Sequence, residues 1–411
     1  MRLASRRVHG GAERPALWGG EPLCAEPIRA TEPTLPPLQD LLPDLEAIWR
    51  SRRLTNEGPF AAALAERLAA MTGASVVPTA SGTAAITVAL TVLGVRGEVV
   101  VPALTFVATA QAVRAAGAMP VLADVDPRTG CLTAATAGPA ITPGTEALLP
   151  VHLFGVPCDA PALEALARRH GLALVFDAAH ALAAHYPDGR PVGAAGDAEA
   201  FSLHATKVLP AGEGGMVATR SAGLAERCRR IACFGLDAAG CATEPGYNAK
   251  LAELPALLAL HGLPRLAGHI AHRAACVARY RAGLADVPGI GWLPADACDA
   301  PSHPYAAARI DAARLGLGAE ALRRALDAER IETRRYFQPL HRHPAFATAA
   351  QTALPAAEAL AGEILCLPLS SHLVAADVDR VVTAIRRIHG WRAARRPAHR
   401  NDGPVAVVGG G

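Results

Sequence analysis

Leu172-Ala173-Leu174-Val175-Phe176-Asp177-Ala178-Ala179-His180 reads as a short apolar strand that ends on a carboxylate. An unbroken apolar run of this length, preceded by Gly171, marks a strand covered on both faces. Ala160 to His170, just before it, has helical spacing, and the alternation extends in both directions. Upstream, Phe60–Met71, Gly82–Leu93 and Val107–Ala116 read as helices, and Glu98–Pro102, Pro120–Ala123 and Ala147–Val151 as strands. Downstream, Ala200–Leu203 and Met216–Thr219 supply two more strands. Strands separated by helical stretches of about 10 to 15 residues predict an α/β fold with a largely parallel sheet between helices.

The pattern changes at Leu263, where Pro264 opens a long amphipathic stretch to Ala285. A strand at Ala306–Ile310 and helices at Gly318–Glu329 and Ala375–Ile388 follow, predicting a smaller α+β domain. The expected organisation is an extended Pro- and Gly-rich arm over 1–40, a large domain over 41–263, a small one over 264–390 and a flexible tail over 391–411. Met1 to Gly20 has arginines but no apolar core after them, so it reads as a flexible leader and not a secretory signal.

Composition narrows the function classes. With 40 Lys+Arg against 37 Asp+Glu, the net charge of +3 lacks the excess that phosphate-dominated nucleic-acid binding needs. The chain is 51% hydrophobic, enough for a large core, yet no charge-free run is long enough to span a bilayer. Nine cysteines at wide spacings fit reduced, cytoplasmic thiols better than a disulfide framework, and Cys228 and Cys233 read as core thiols. His341-x-His343 and His269-x-x-His272 have no carboxylate or cysteine spaced to complete a site, so no metal is expected.

In open α/β sheets, ligands bind beyond the carboxyl ends of the strands. Three segments fall there. Thr79-Ala80-Ser81-Gly82-Thr83 opens a helix whose free N–H groups and dipole favour a phosphate. Asp177 tips a strand. Phe201-Ser202-Leu203-His204-Ala205-Thr206-Lys207 carries one of only two lysines and precedes the turn Gly212-Glu213-Gly214-Gly215. Singly, each has an ordinary explanation: a cap by Ser81, a cap by Asp177, a surface lysine at 207. As a set they match the needs of pyridoxal phosphate: a phosphate anchor, an acid for the pyridine nitrogen and an amine for the aldehyde.

From Thr31 to Ile388 the chain resembles the DegT/DnrJ/EryC1/StrS family of sugar aminotransferases, within the fold-type I, aspartate aminotransferase-like group. The motifs, in order, are Leu54-Thr55-Asn56-Glu57-Gly58-Pro59, Ser81-Gly82-Thr83, Pro102-Ala103-Leu104-Thr105-Phe106, Asp177-Ala178-Ala179-His180, His204-Ala205-Thr206-Lys207 with Gly212-Glu213-Gly214-Gly215, Gly246-Tyr247-Asn248-Ala249-Lys250 and Pro339-Leu340-His341. The resemblance implies a mostly parallel seven-stranded sheet and pyridoxal 5'-phosphate held by Lys207, which would also move the proton in catalysis. It further implies Asp177 at the ring nitrogen, Phe106 on the ring face, His180 at the ring oxygen, and Gly82, Thr83 and Ser202 at the phosphate. Asn248 would reach that phosphate from the second subunit of a homodimer, and Tyr336 and His341 would touch substrate. Glu57, Ala232-Cys233 and Leu251-Ala252 depart from the family pattern on the substrate side, while the cofactor-side groups are intact.

The implied activity is transfer of an amino group, usually from L-glutamate, to a keto group of a nucleotide-linked deoxysugar. A dTDP-4-keto-6-deoxyhexose is the first expectation and a 3-keto sugar the second, in amino-sugar biosynthesis for a natural product or polysaccharide. A keto-cyclitol aminotransferase would carry the same catalytic set. A dehydratase would have histidine in place of Lys207, and a non-catalytic cofactor-binding regulator would be expected to have lost Lys207 or Asp177.

Overall fold

The structure is a computed structural model that describes residues 14–294 and 302–395. Residues 1–13 of the expected leader and the expected tail beyond Arg395 lie outside the described residues. Seven strands form the main sheet: β1 (Ser75–Thr79), β2 (Glu98–Pro102), β3 (Met119–Ala123), β4 (Thr145–Leu148), β5 (Ala173–Asp177), β6 (Ala198–Ser202) and β7 (Gly215–Thr219). Their spatial order is β1-β7-β6-β5-β4-β2-β3. Only β7 opposes the rest, pairing antiparallel with both β1 and β6, so six strands point their carboxyl ends to one edge. Because β7 runs the other way, the Gly212–Gly215 turn that feeds it arrives at that same edge.

Two departures from the expected elements have simple causes. β1 was not anticipated because Pro78 interrupts its apolar run, yet β1 lies at the sheet edge, where proline is tolerated. β4 stops at Leu148, short of Val151, since Pro150 has no N–H to continue a ladder. The Pro150 carbonyl instead accepts from the Asp177 N–H at 2.8 Å, which fixes the carboxylate-bearing end of β5. Helices Leu38–Ser51, Ala222–Ala232 and Glu253–Gly262 also went unread in the sequence.

Helix Gly82–Val92 packs on β6 and β7 and against helices Val107–Ala115 and Ala222–Ala232. It is apolar nearly all round, with Ala85, Ile86, Val88, Ala89, Leu90 and Val92 buried, and that suits a helix enclosed by sheet and helices. Its start is therefore held rigidly over the carboxyl edge. No helix among the described residues is long and apolar enough to cross a membrane.

A second apolar cluster is built on a three-stranded antiparallel sheet, β10-β9-β8, from β8 (Ile290–Trp292), β9 (Ala306–Ile310) and β10 (Ile364–Leu367). Helices Leu266–Leu284, Ala319–Ala328 and Ala375–Ala393 complete it through Tyr280, Leu322, Val378 and Ile385. The N-terminal segment joins the same cluster, burying Cys24 and Ile28. Ile28 pairs in parallel with Ile331, its N–H bonded to the Arg330 carbonyl at 2.9 Å. Glu329, fully buried, accepts the N–H groups of Ala16 and Leu23 at 2.9 and 2.8 Å and pairs with Arg387 at 3.3 Å.

This clamp gives a stability prediction. Glu329→Ala leaves a nearly buried guanidinium and two backbone donors without their acceptor, and should cost about 3 kcal/mol. Thermal unfolding checks it, and an unchanged melting temperature would show that Glu329 does not hold the segment. Glu329→Gln, which keeps one acceptor oxygen, should lose less.

Candidate active site

The carboxyl edge of the large sheet opens on a cavity of about 380 Å³. Ser81, Gly82 and Thr83 follow β1, Thr105 and Phe106 follow β2, Asp177 to His180 end β5, and Ser202 to Lys207 leave β6. Tyr305, Tyr336 and Phe337 close the cavity from the side of the smaller sheet.

At the start of helix Gly82–Val92, the Ser81 side chain accepts from the Ala84 N–H at 3.1 Å, and the Ser81 carbonyl from the Ala85 N–H at 3.0 Å. The helix has no intrahelical acceptors for the remaining donors of its first turn, those of Gly82 and Thr83, which line the cavity. Ser202 Oγ accepts from the His204 N–H at 3.3 Å, so its own hydroxyl hydrogen is available to the same space. Two glycines allow the close approach. A Cβ at Gly82 would stand 2.9 Å from Ser202 Cβ, and one at Gly215 only 2.5 Å from the Ser81 carbonyl carbon.

Asp177 is 5% exposed, and burial raises its carboxyl from the usual range. The Thr109 hydroxyl at 2.8 Å, the Ala179 N–H at 3.1 Å and the charge of Lys207 oppose that rise by stabilising the ionised form. Lys207 is shifted to about 8 by burial, against the pull of Asp177, which favours its cation. An amine so shifted is available as a nucleophile near neutrality. Burial, with the charges of Lys207 and His152, holds His180 well below its usual value, so the ring is neutral. Its Nδ1 is buried with no hydrogen-bond partner. Such an orphan costs free energy unless a ligand satisfies it.

The residues present fit pyridoxal phosphate. The helix start and Ser202 offer donors to a phosphate, Asp177 offers a carboxylate to a pyridinium, Lys207 an amine to an aldehyde, and the orphaned His180 nitrogen a partner for a ring oxygen. Phe106, 55% exposed, offers an aromatic face at the mouth of the cavity.

The sequence profile of the DegT/DnrJ/EryC1/StrS aminotransferase family matches residues 39–386. The chain belongs to this family. Proteins of this aminotransferase family are in general pyridoxal phosphate-dependent. Among curated relatives, the chain is similar to the dTDP-4-amino-4,6-dideoxy-D-glucose transaminase of Shigella dysenteriae, 32% identical over 88% of this chain and 99% of that one. It is 38% identical to a UDP-N-acetyl-3-dehydro-alpha-D-glucosamine 3-aminotransferase of Acidithiobacillus ferrooxidans, over 76% of this chain and 84% of that one. Among solved structures, DesI in the presence of its TDP-sugar product superposes with a TM-score of 0.87 at 37% identity, covering 92% of this chain and 96% of DesI.

Within this DegT-family chain the remaining sequence-derived residues divide in two. Tyr336 lines the cavity, whereas His341 is not among its lining residues and bonds Glu358, which also pairs with Arg342. Asn248 is exposed and absent from the lining of its own chain's cavity, and its side-chain oxygen accepts from Lys250 Nζ at 2.8 Å. Cys228 is buried in the core, while Cys233 is only half-buried at the end of helix Ala222–Ala232.

Several residues at this cavity were not anticipated. Thr109 bonds Asp177 and is itself 2.9 Å from the Thr105 hydroxyl. Their i, i+4 spacing at a helix start, just beyond a strand end, is a signal that could have been read. Tyr305 and Phe337 flank His180, with ring centroids 5.2 and 6.0 Å away, and Phe106 lies 5.8 Å from Phe337. These rings come from distant segments, and no local pattern reports their meeting.

Proposed function

We propose that this chain transfers an amino group from an amino acid, L-glutamate, to the keto group of a nucleotide-linked deoxysugar, a dTDP-4-keto-6-deoxyhexose. The observation that carries the reading is the half-buried Lys207, depressed to about 8 and sensing the charge of Asp177, which Thr109 holds, in a cavity that an N–H-rich helix start also lines. The names of the relatives, which concern 4- and 3-amino sugars on nucleotides, support the substrate class.

When bound, pyridoxal phosphate supplies an aldehyde that takes up amines and a ring that accepts the electron pair left by a departing proton. Gly82, Thr83 and Ser202 bind and orient the phosphate end. Asp177, ionised and supported by Thr109 and the Ala179 N–H, keeps a proton on the ring nitrogen. Neutral His180 hydrogen-bonds the ring oxygen through its free nitrogen. Lys207 Nζ would take the proton from the donor's α carbon and deliver it to the carbon that was the cofactor's aldehyde carbon, across the intervening nitrogen. It reverses the task when the keto substrate follows. Two substrates using one site in turn predict ping-pong kinetics.

Asn248 supports a homodimer. Exposed on its own chain and with its side-chain oxygen taken by Lys250, it would offer its amide N–H to the phosphate of a neighbour in an isologous pair.

The test is to incubate the purified protein with L-glutamate and a panel of keto-sugar nucleotides and keto-cyclitols, and to locate the new amine by NMR. Amination of a dTDP-4-keto-6-deoxyhexose is expected. Amination of the cyclitols alone would overturn the sugar-nucleotide reading, and a protein that takes up no pyridoxal phosphate would overturn the cofactor assignment.

A further inference from the structure

His204 and Glu213 both line the cavity and take no part in the chemistry given to Lys207 and Asp177. His204 leaves β6 three residues before Lys207, and Glu213 lies in the turn into β7, so the antiparallel return brings them together at the mouth. The His204 ring is oriented at one nitrogen. Nδ1 accepts the Thr206 N–H at 3.2 Å, with the Thr206 hydroxyl 3.0 Å away. A nitrogen that accepts a backbone N–H carries no hydrogen, so the ring hydrogen lies on Nε2.

Nε2 in turn stands 3.7 Å from Glu213 Oε1, too far for a hydrogen bond. Each group is therefore left with capacity for a third molecule, one as donor and the other as acceptor. The side chains are 45% and 70% exposed, so a substrate entering the cavity can reach both.

We infer that His204 and Glu213 read an α-hydroxyketone in the amino-group acceptor: the His204 Nε2–H donates to the ketone oxygen, and the Glu213 carboxylate accepts from the hydroxyl on the adjacent carbon. The chemistry of the two oxygens decides the match. A ketone oxygen only accepts, whereas a hydroxyl donates, and neighbouring oxygens on a hexose ring are close enough to meet two groups this near to each other. The inference rests on the proposed keto-sugar substrate and adds to it which neighbouring group that substrate keeps.

The experiment compares kcat/KM for dTDP-4-keto-6-deoxyglucose and for its 3-deoxy counterpart, with L-glutamate as donor. The wild type should prefer the hydroxylated acceptor by about tenfold to hundredfold, the range of one hydrogen bond to a charged group. Glu213→Ala should lower the rate on the hydroxylated acceptor by that factor and leave the 3-deoxy rate alone, so that the preference disappears. His204→Gln should lower both acceptors alike, since both retain the ketone. The cofactor absorbance band should persist in both variants, a readout independent of turnover. Equal use of the two acceptors by the wild type, or a preference that survives Glu213→Ala, would overturn the inference. Failure of the wild type to aminate either acceptor would instead overturn the substrate reading on which it rests.

Discussion

Lys207→Ala removes turnover and the bound-cofactor absorbance band together, with activity falling by more than about 10⁴-fold. The side chain is asked to do two things, to bind the cofactor aldehyde and to carry the proton, and proton transfer by a placed group alone is worth about 10²–10⁴-fold. The remaining lysine, Lys250, cannot substitute. Its Nζ bonds Asn248 and sits 4.6 Å over the Phe234 ring, and it is not among the residues lining the cavity. Absorbance spectroscopy on the purified variant, followed by an amino-transfer assay, checks both parts. A variant that keeps the band while losing turnover would separate the two roles, and one that keeps both would remove Lys207 from the mechanism.

Asp177→Asn should lower kcat by about 10²–10³-fold, the scale found when one preorganised charge partner is removed from a buried site. The change nearly preserves shape, so the loss reports the charge. It also has a consequence measurable without turnover. In the cofactor-free protein, only the neutral Lys207 amine captures the aldehyde, and that amine titrates at about 8. Capture of added pyridoxal phosphate should therefore rise with pH through about 8 and level off above it. The Asp177 carboxylate stabilises the Lys207 cation, which raises the pKa. Asparagine withdraws that support, so the midpoint should move to lower pH in the variant. A midpoint that stays put would mean that the two side chains do not sense each other.

Much of the sheet was legible because its signals are local. In Glu98-Val99-Val100-Val101-Pro102 the residues from Val99 onward are apolar in succession, and the stretch becomes β2, buried from Val99 onward. The segment from Ala160 to His170 has helical periodicity, is capped by Asp159 and forms the helix with the expected bounds. Lys207, Asp177 and Gly82 were likewise readable, each within a residue or a few of a strand or helix end. Where reading failed, an opposing signal or a distant partner was responsible. Pro78 disguised β1, whose edge position only the assembled sheet defines. The segment around Ile28 read as a loose arm because its Pro and Gly content was visible and its partner was not. That partner, Ile331, is some three hundred residues away along the chain.

The amino-acid sequence by itself determined the alternation of strands and helices and the three segments of reactive residues, since short-range periodicity and composition govern both. Tertiary structure alone decided that these segments share one cavity, because parallel strands send their carboxyl ends to one edge whatever their separation along the chain. It also decided the chemistry of that cavity. Lys207 falls to about 8 only when desolvated, and Asp177 is held by a hydroxyl from another element. His204 meets Glu213 because β7 runs antiparallel to β6. Burial and the convergence of remote groups are properties of the packed chain, and no stretch of residues carries them alone.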